Sequence, residues 1–127
     1  MQKIGIITIN KVLAQSLSIH FNNNPDFGYE PYQLLNPRQA VLDAEVIGID
    51  LAVVDVVDGP LKSAAQLLEF CGQMREKVPG CKMLLLVSQD DKTGQGTAMG
   101  AKRRMLIDGY IFSDTSLDYL LAKLSAL

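Results

Sequence analysis

Asp55 is the residue with the strongest claim to chemistry in this chain. It stands in the stretch Ile49-Asp50-Leu51-Ala52-Val53-Val54-Asp55-Val56-Val57-Asp58-Gly59. From Leu51 to Val57 every other residue is apolar and most are β-branched, the pattern of a strand buried on both faces of a parallel sheet. A lone carboxylate is costly to bury, so Asp55 belongs at the C-terminal mouth of that strand, where doubly wound sheets hold their ligands. Little else in the chain offers chemistry. His20 is the only histidine, so no Ser/His/Asp or Cys/His nucleophilic set can be assembled. Cys71 and Cys81 lack the C-x-x-C spacing and a second pair, which excludes a disulfide scaffold and a Cys/His zinc site and leaves them as small apolar residues. The only close acid pair besides the Asp55 region is Asp90-Asp91, in a polar surface stretch. The spacing of Gly94, Gly96 and Gly100 matches neither a dinucleotide fingerprint nor a P-loop.

The elements that must position Asp55 can be read from periodicity. Residues 3–9 form an apolar strand, and Asn10 is placed to cap the helix at 11–22, whose Leu13, Leu17 and Phe21 recur every four. Residues 29–35 make a more polar strand, and Pro31 within it points to a sheet edge. Asn36-Pro37 opens a short helix through Glu45 with Ala40, Val41 and Ala44 inward, closed by Gly48. After the Asp55 strand and the Asp58-Gly59-Pro60 turn, a long helix carries Leu61, Ala64, Leu68, Cys71 and Met74 on one stripe and stops at Pro79-Gly80. Residues 82–88 are the next buried strand, 89–96 a polar, glycine-rich loop that looks mobile, 97–106 a basic-faced helix and 109–113 a fifth strand. Thr115 and Asp118 form an approximate capping box for a last helix with Leu117, Leu120, Leu121 and Leu124 on one face. Five strands alternating with five helices predict a single α/β domain over residues 1–127, a doubly wound five-stranded parallel sheet of flavodoxin-like order 2-1-3-4-5. That order sets Asp55 facing Thr8, Ile9 and Asn10 across the crevice.

Composition narrows the partners. With 12 basic and 14 acidic residues the net charge is -2, which supplies no field for binding nucleic acid, and Lys102-Arg103-Arg104 reads as a solvated helix face. The longest apolar run is too short for a membrane span and the N-terminus lacks a signal-peptide layout, so the expected compartment is the cytoplasm.

Two segments carry a resemblance. Asp50-Leu51-Ala52-Val53-Val54-Asp55 resembles the phosphoacceptor strand of response-regulator receiver domains. Gly109-Tyr110-Ile111-Phe112-Ser113-Asp114-Thr115-Ser116 resembles the G-Y-L-L-K-D-T-S segment of receivers that precede a LuxR-type DNA-binding domain. The resemblance covers nearly the whole chain. It implies that Asp55 stands at the phosphoacceptor position and that Tyr110 is the aromatic that swings inward on activation. It also implies residues that are not here. The acidic pair after the first strand falls on Thr8 and Ile9, the lysine ending the fifth strand falls on Ser113, and the Ser/Thr ending the fourth falls on Val87 or Ser88. Such a site needs a hard cation held by carboxylates. Here Mg2+ would have Asp55 with Asn10 as a neutral helper, a weak site, so no cofactor is expected.

The expectation is therefore a degenerate receiver, a non-enzymatic signalling and protein-interaction module from a transcriptional regulator. DNA contact would lie in a C-terminal domain continuing past Leu127. The alternatives are a receiver phosphorylated on Asp55 by a histidine kinase, or a flavodoxin-like module binding a small anion near Gly94–Gly100. The expected partner surface is the face of the last two helices and the fifth strand, with Ala98, Ala101 and Met105 as the apolar centre of a weak homodimer and Lys102, Arg103, Arg104, Asp118 and Lys123 as its charged rim.

Overall fold

The computed structural model describes all residues, Met1–Leu127. Five parallel strands, β1 (Gln2–Ile7), β2 (Tyr29–Leu34), β3 (Leu51–Asp55), β4 (Lys82–Val87) and β5 (Gly109–Phe112), lie in the order β2-β1-β3-β4-β5. Five helices connect or follow them: α1 (Lys11–Asn23), α2 (Ala40–Ile47), α3 (Ala64–Lys77), α4 (Lys92–Arg103) and α5 (Leu117–Ser125). This is the doubly wound flavodoxin-like sheet that the alternation predicts. Pro31 does sit on the edge strand, in register with Ile4 of β1, where its missing N–H interrupts no inner ladder.

Every residue of β3 is buried, and alternate side chains feed two apolar layers. Leu51 and Val53 pack with Ala14, Leu17 and Phe21 of α1 and Leu120, Leu121 and Leu124 of α5. Ala52 and Val54 pack with Ala40 and Ala44 of α2, Leu67, Phe70, Cys71 and Met74 of α3, and Ala98 and Ala101 of α4. Asp55 ends the strand with 4% of its surface exposed.

Several boundaries differ from the sequence reading, each for a local reason. Residues 37–39 form a turn, with the Asn36 side chain accepting from the Arg38 N–H, and α2 begins only at Ala40. A separate 3-10 turn occupies Pro60–Lys62 before Ser63 caps α3, accepting from the Gln66 N–H. That restart shifts the phase of the stripe, so Leu67 and Phe70 are buried, Leu68 is half-buried and Ala64 is exposed. The expected glycine-rich loop is mostly helix: Asp91 caps α4 by accepting from the Gly94 N–H at 2.9 Å, and Gly94, Gly96 and Gly100 all lie inside it. A Cβ on Gly94 would stand 2.8 Å from the Asp91 carboxylate carbon, which is why glycine occupies that position. Ser116, not Thr115, caps α5, accepting from the Tyr119 N–H.

At the end of the sheet where the strands start, Arg75 makes the protein's one ion pair. Its guanidinium donates to the Leu106 and Cys81 carbonyls and to Asp108 Oδ2, at 3.0, 2.9 and 2.9 Å, and Asp108 Oδ2 also accepts from the Met83 N–H. One side chain thus joins α3 to the starts of β4 and β5.

Both cysteines are free and buried. Burial pushes the Cys71 thiol up from the usual 9.0 to about 11 and the Cys81 thiol up to about 12, with the nearby Arg75 charge opposing it in each case. Below pH 9.0 both thiols are protonated whether the chain is folded or not. Above it the unfolded chain releases protons that the folded chain keeps, so stability falls by up to ~1.4 kcal/mol per pH unit per thiol. The decline runs from 9.0 to about 11 for Cys71 and on to about 12 for Cys81. Burial of Tyr29 raises its phenol from 10.0 and adds loss of the same sign above that pH. Urea midpoints measured across this range should fall steadily, and the slope should be shallower with Cys71→Ala and Cys81→Ala combined; equal slopes would show the thiols are not responsible.

Candidate functional site

The crevice forms where β1 and β3 end side by side, Ile7 in register with Val54. One residue beyond that pair, each chain segment presents a buried polar side chain. Thr8, 1% exposed, donates its hydroxyl to Asp55 Oδ2 at 2.6 Å. The other carboxylate oxygen, Oδ1, accepts from the Val57 N–H at 2.8 Å, an Asx turn in which an aspartate bonds the backbone two residues on. Thr8 Oγ1 in turn accepts from the Asn10 N–H at 2.9 Å. Neither Lys nor Arg forms an ion pair with Asp55, so its charge is balanced by these donors alone.

The remaining predicted site residues are brought to the same edge of the sheet but not to Asp55. The Asn10 side chain is committed to α1, its Oδ1 accepting from the Leu13 N–H at 3.0 Å, so it does not serve as the neutral helper to a cation. Ile9 is about half exposed and lies across Gly59, whose absent Cβ would meet it at 3.2 Å. Gly59 has φ of 83°, so this approach and the turn geometry both call for glycine. Val87 is wholly buried in the α2–α4 layer, and Ser88, half-buried, accepts from the Asp90 N–H at 3.2 Å through its Oγ. Ser113 is exposed, held by its own N–H to the Val87 carbonyl at 2.8 Å. Tyr110 is half-buried, its ring packed on the α2–α4 layer and bordering a groove with Met99, Lys102 and Arg103.

A backbone N–H partner for Asp55 is what the sequence allows, but not which one, and the contact of Ile9 with Gly59 was missed. The signal for the first was an aspartate closing a strand two residues before a turn; for the second there was none.

The donor set does not fit a magnesium ion. Mg2+ demands near-octahedral hard oxygens, commonly one or two carboxylates. Here there is one carboxylate, both its oxygens already accept hydrogen bonds from the protein, and an isoleucine lies at the rim. Nowhere do three His, Cys, Asp or Glu side chains converge. An anion fares no better beside α4, because the Asp91 carboxylate already occupies the helix N-terminus. A cavity of about 230 Å³ next to Val56 is lined in part by that same Asp91 together with Lys62, Thr93 and Thr97.

No family model matches the chain, and no curated protein sequence does. Solved structures do. A DNA-binding response regulator of the LuxR family from Staphylococcus aureus superposes with a TM-score of 0.78 at 16% identity, covering 99% of this chain and 98% of that one. The response regulator TrrA from Thermotoga maritima, solved in complex with Mg2+ and BeF, gives 0.75 at 21%, covering 99% and 98%. A structure described as an adenylate cyclase from Rhodopirellula baltica gives 0.77 at 16%, covering 98% of this chain and 85% of that one. At these identities the likeness is one of fold: the chain has the CheY-like form of the flavodoxin fold. No helix is long and apolar enough to cross a membrane.

The geometry makes a prediction about Asp55 itself. In a mouth crowded with carboxylates, removing one relieves repulsion. Here Asp55→Ala strands the buried Thr8 hydroxyl and the Val57 N–H without acceptors, so it should lower the unfolding free energy by about 1–3 kcal/mol. Urea denaturation reads this directly, and a stabilised variant would contradict it.

Proposed function

We propose that this chain is a receiver-like signalling and protein-interaction module whose acceptor position no longer takes a phosphoryl group. It is the cytoplasmic regulatory domain of a transcriptional regulator and has no enzymatic activity of its own. What supports the reading is the state of Asp55: it ends β3, the position that the resemblance gives to a phosphoacceptor, and both its oxygens accept hydrogen bonds, from the Thr8 hydroxyl and the Val57 N–H. Phosphoryl transfer depends on positioned charge, from cation and lysine, to balance the phosphoryl oxygens. Thr8, Ile9 and Ser113 supply none. The link to transcription draws on the LuxR-like segment from Gly109 to Ser116 and on the LuxR-family regulator from Staphylococcus aureus among the similar structures. Any DNA contact belongs to a separate domain, since the chain's net charge is -2. Incubation with acetyl phosphate or phosphoramidate and Mg2+ should leave the intact mass unchanged. An added phosphoryl mass that disappears in Asp55→Ala would instead establish a phosphorylated receiver.

A module without that input must signal through a surface, and the face of α4, β5 and α5 is the best furnished. Its apolar centre is not the one the sequence suggests. Ala98 and Ala101 are buried against the sheet, and Met105 lies past the end of α4, 80% exposed and outside the groove. Instead Met99, Phe112, Leu117 and Tyr119 are exposed, and Tyr110, Ile111, Phe112, Thr115, Ser116 and Tyr119 line a groove of about 410 Å³. Lys102 and Arg103 line an adjoining groove that shares Tyr110 with it, and Asp118 is exposed on α5, whereas the stem of Lys123 packs over Gly109. This face pairs with a protein partner or with a second copy in a weak dimer. Rim charges steer association more than they hold it, so dissociation should rise with salt, and Lys102→Glu with Arg103→Glu should weaken it without unfolding the domain. Sedimentation showing only monomer at about 100 μM, where weak interfaces register, would exclude the dimer.

A further inference from the structure

The two turns that frame the crevice are tied together by the protein's own side chains and backbone. One turn follows β1 and contains Thr8, Ile9 and Asn10; the other follows β3 and contains Val56 through Gly59. In the first tie a chain of hydrogen bonds runs from the Asn10 N–H to Thr8 Oγ1, from the Thr8 O–H to Asp55 Oδ2, and from the Val57 N–H to Asp55 Oδ1. A hydroxyl has one proton to give, and the proton of Thr8 goes to the carboxylate while the Asn10 amide fills an acceptor position on the same oxygen. Its branched Cβ restricts χ1 and both side chains are buried, so the bond is little screened and rotates away only at a cost. In the second tie Ile9 lies on Gly59, apolar on backbone, between the same two turns.

We infer that the Thr8 hydroxyl is a built-in substitute for a bound cation: it holds the Asp55 carboxylate in one orientation, and through that carboxylate it orders the turn after β3. Thr8 is thus a positioning residue. It touches Asp55 directly and acts on Val57 only through it. The comparison with a cation rests on the receiver-like reading above; the tie itself rests on the three hydrogen bonds.

Amide hydrogen exchange and urea denaturation, each with Mg2+ at millimolar concentration and with EDTA, test this on the whole chain. For the wild-type protein the urea midpoint and the protection of the Asn10 and Val57 amides should be the same in both conditions. Thr8→Val, which keeps the shape and removes the hydroxyl, should lower the midpoint and reduce protection at both amides by about tenfold or more, as losing a charge-assisted hydrogen bond requires. The effect at Val57 is the informative one, because its bond to Asp55 involves no atom of Thr8. Thr8→Ser restores the hydroxyl and should bring protection at Val57 back to within roughly twofold of wild type. A wild-type midpoint raised by Mg2+, or Val57 protection unchanged in Thr8→Val, would overturn the inference. Should Thr8→Val fail to fold, Thr8→Ser decides: protection at Val57 lost there, or rescued only by Mg2+, overturns it equally. None of these readouts involves a partner or a phosphoryl donor, so their failure is separable from failure of the signalling proposal.

Discussion

A strand with no solvent face admits polar atoms only at its ends, and that constraint on β3 organises the molecule. Leu51 through Val54 are committed to the two apolar layers, which fixes which helices lie on which side of the sheet. Asp55 is the first residue at which a charge can be tolerated, and it is tolerated because donors arrive from the turn after β1 and from its own following turn. The site is in this sense a product of the core. Changing the register between β1 and β3 by one residue would send Thr8 to the opposite face and leave Asp55 Oδ2 without its donor.

The two ends of the sheet solve the same problem with different chemistry. Where the strands begin, the Arg75 guanidinium spans three segments with a rigid fork and meets two carbonyls and a carboxylate. Where they end, a hydroxyl and a backbone N–H meet a carboxylate that pairs with no Lys or Arg. The first arrangement tolerates water, since Arg75 and Asp108 remain about a quarter exposed. In the second the Thr8–Asp55 bond is buried, and the backbone N–H bonds around it are partly buried. The polar groups at the crevice are therefore consumed by the fold, which sets this mouth apart from one that leaves its acids free for a ligand.

Much of this was legible in the sequence because it depends on pattern. Pro31 and the polar residues around it marked the edge strand, the apolar runs marked the inner ones, and the strand order followed from chirality. The facing of Thr8 and Asp55 also followed from that order. What the residues between them do was not legible, because a hydroxyl rotamer and an Asx turn are decided by atoms placed in three dimensions. The misplaced start of α4 had a different origin. Gly94 and Gly96 argue against helix by propensity, and the cap at Asp91 together with the packing of Ala98 and Ala101 outweighs them. The same burial of small residues moved the apolar centre of the outer face from Ala98 and Ala101 to Met99, Phe112 and Tyr119.

Those glycines have a cost of their own. Only Gly94 is compelled by a neighbour; around Gly96 and Gly100 a side chain would meet nothing within 4 Å. Each lowers the helix's intrinsic stability by about 1 kcal/mol relative to alanine, and α4 buries only Ala98 and Ala101 in return. Its C-terminal turn adds strain, with Met105 in the left-handed region at φ 60°. The helix that borders Tyr110 is therefore one that little apolar burial of its own secures.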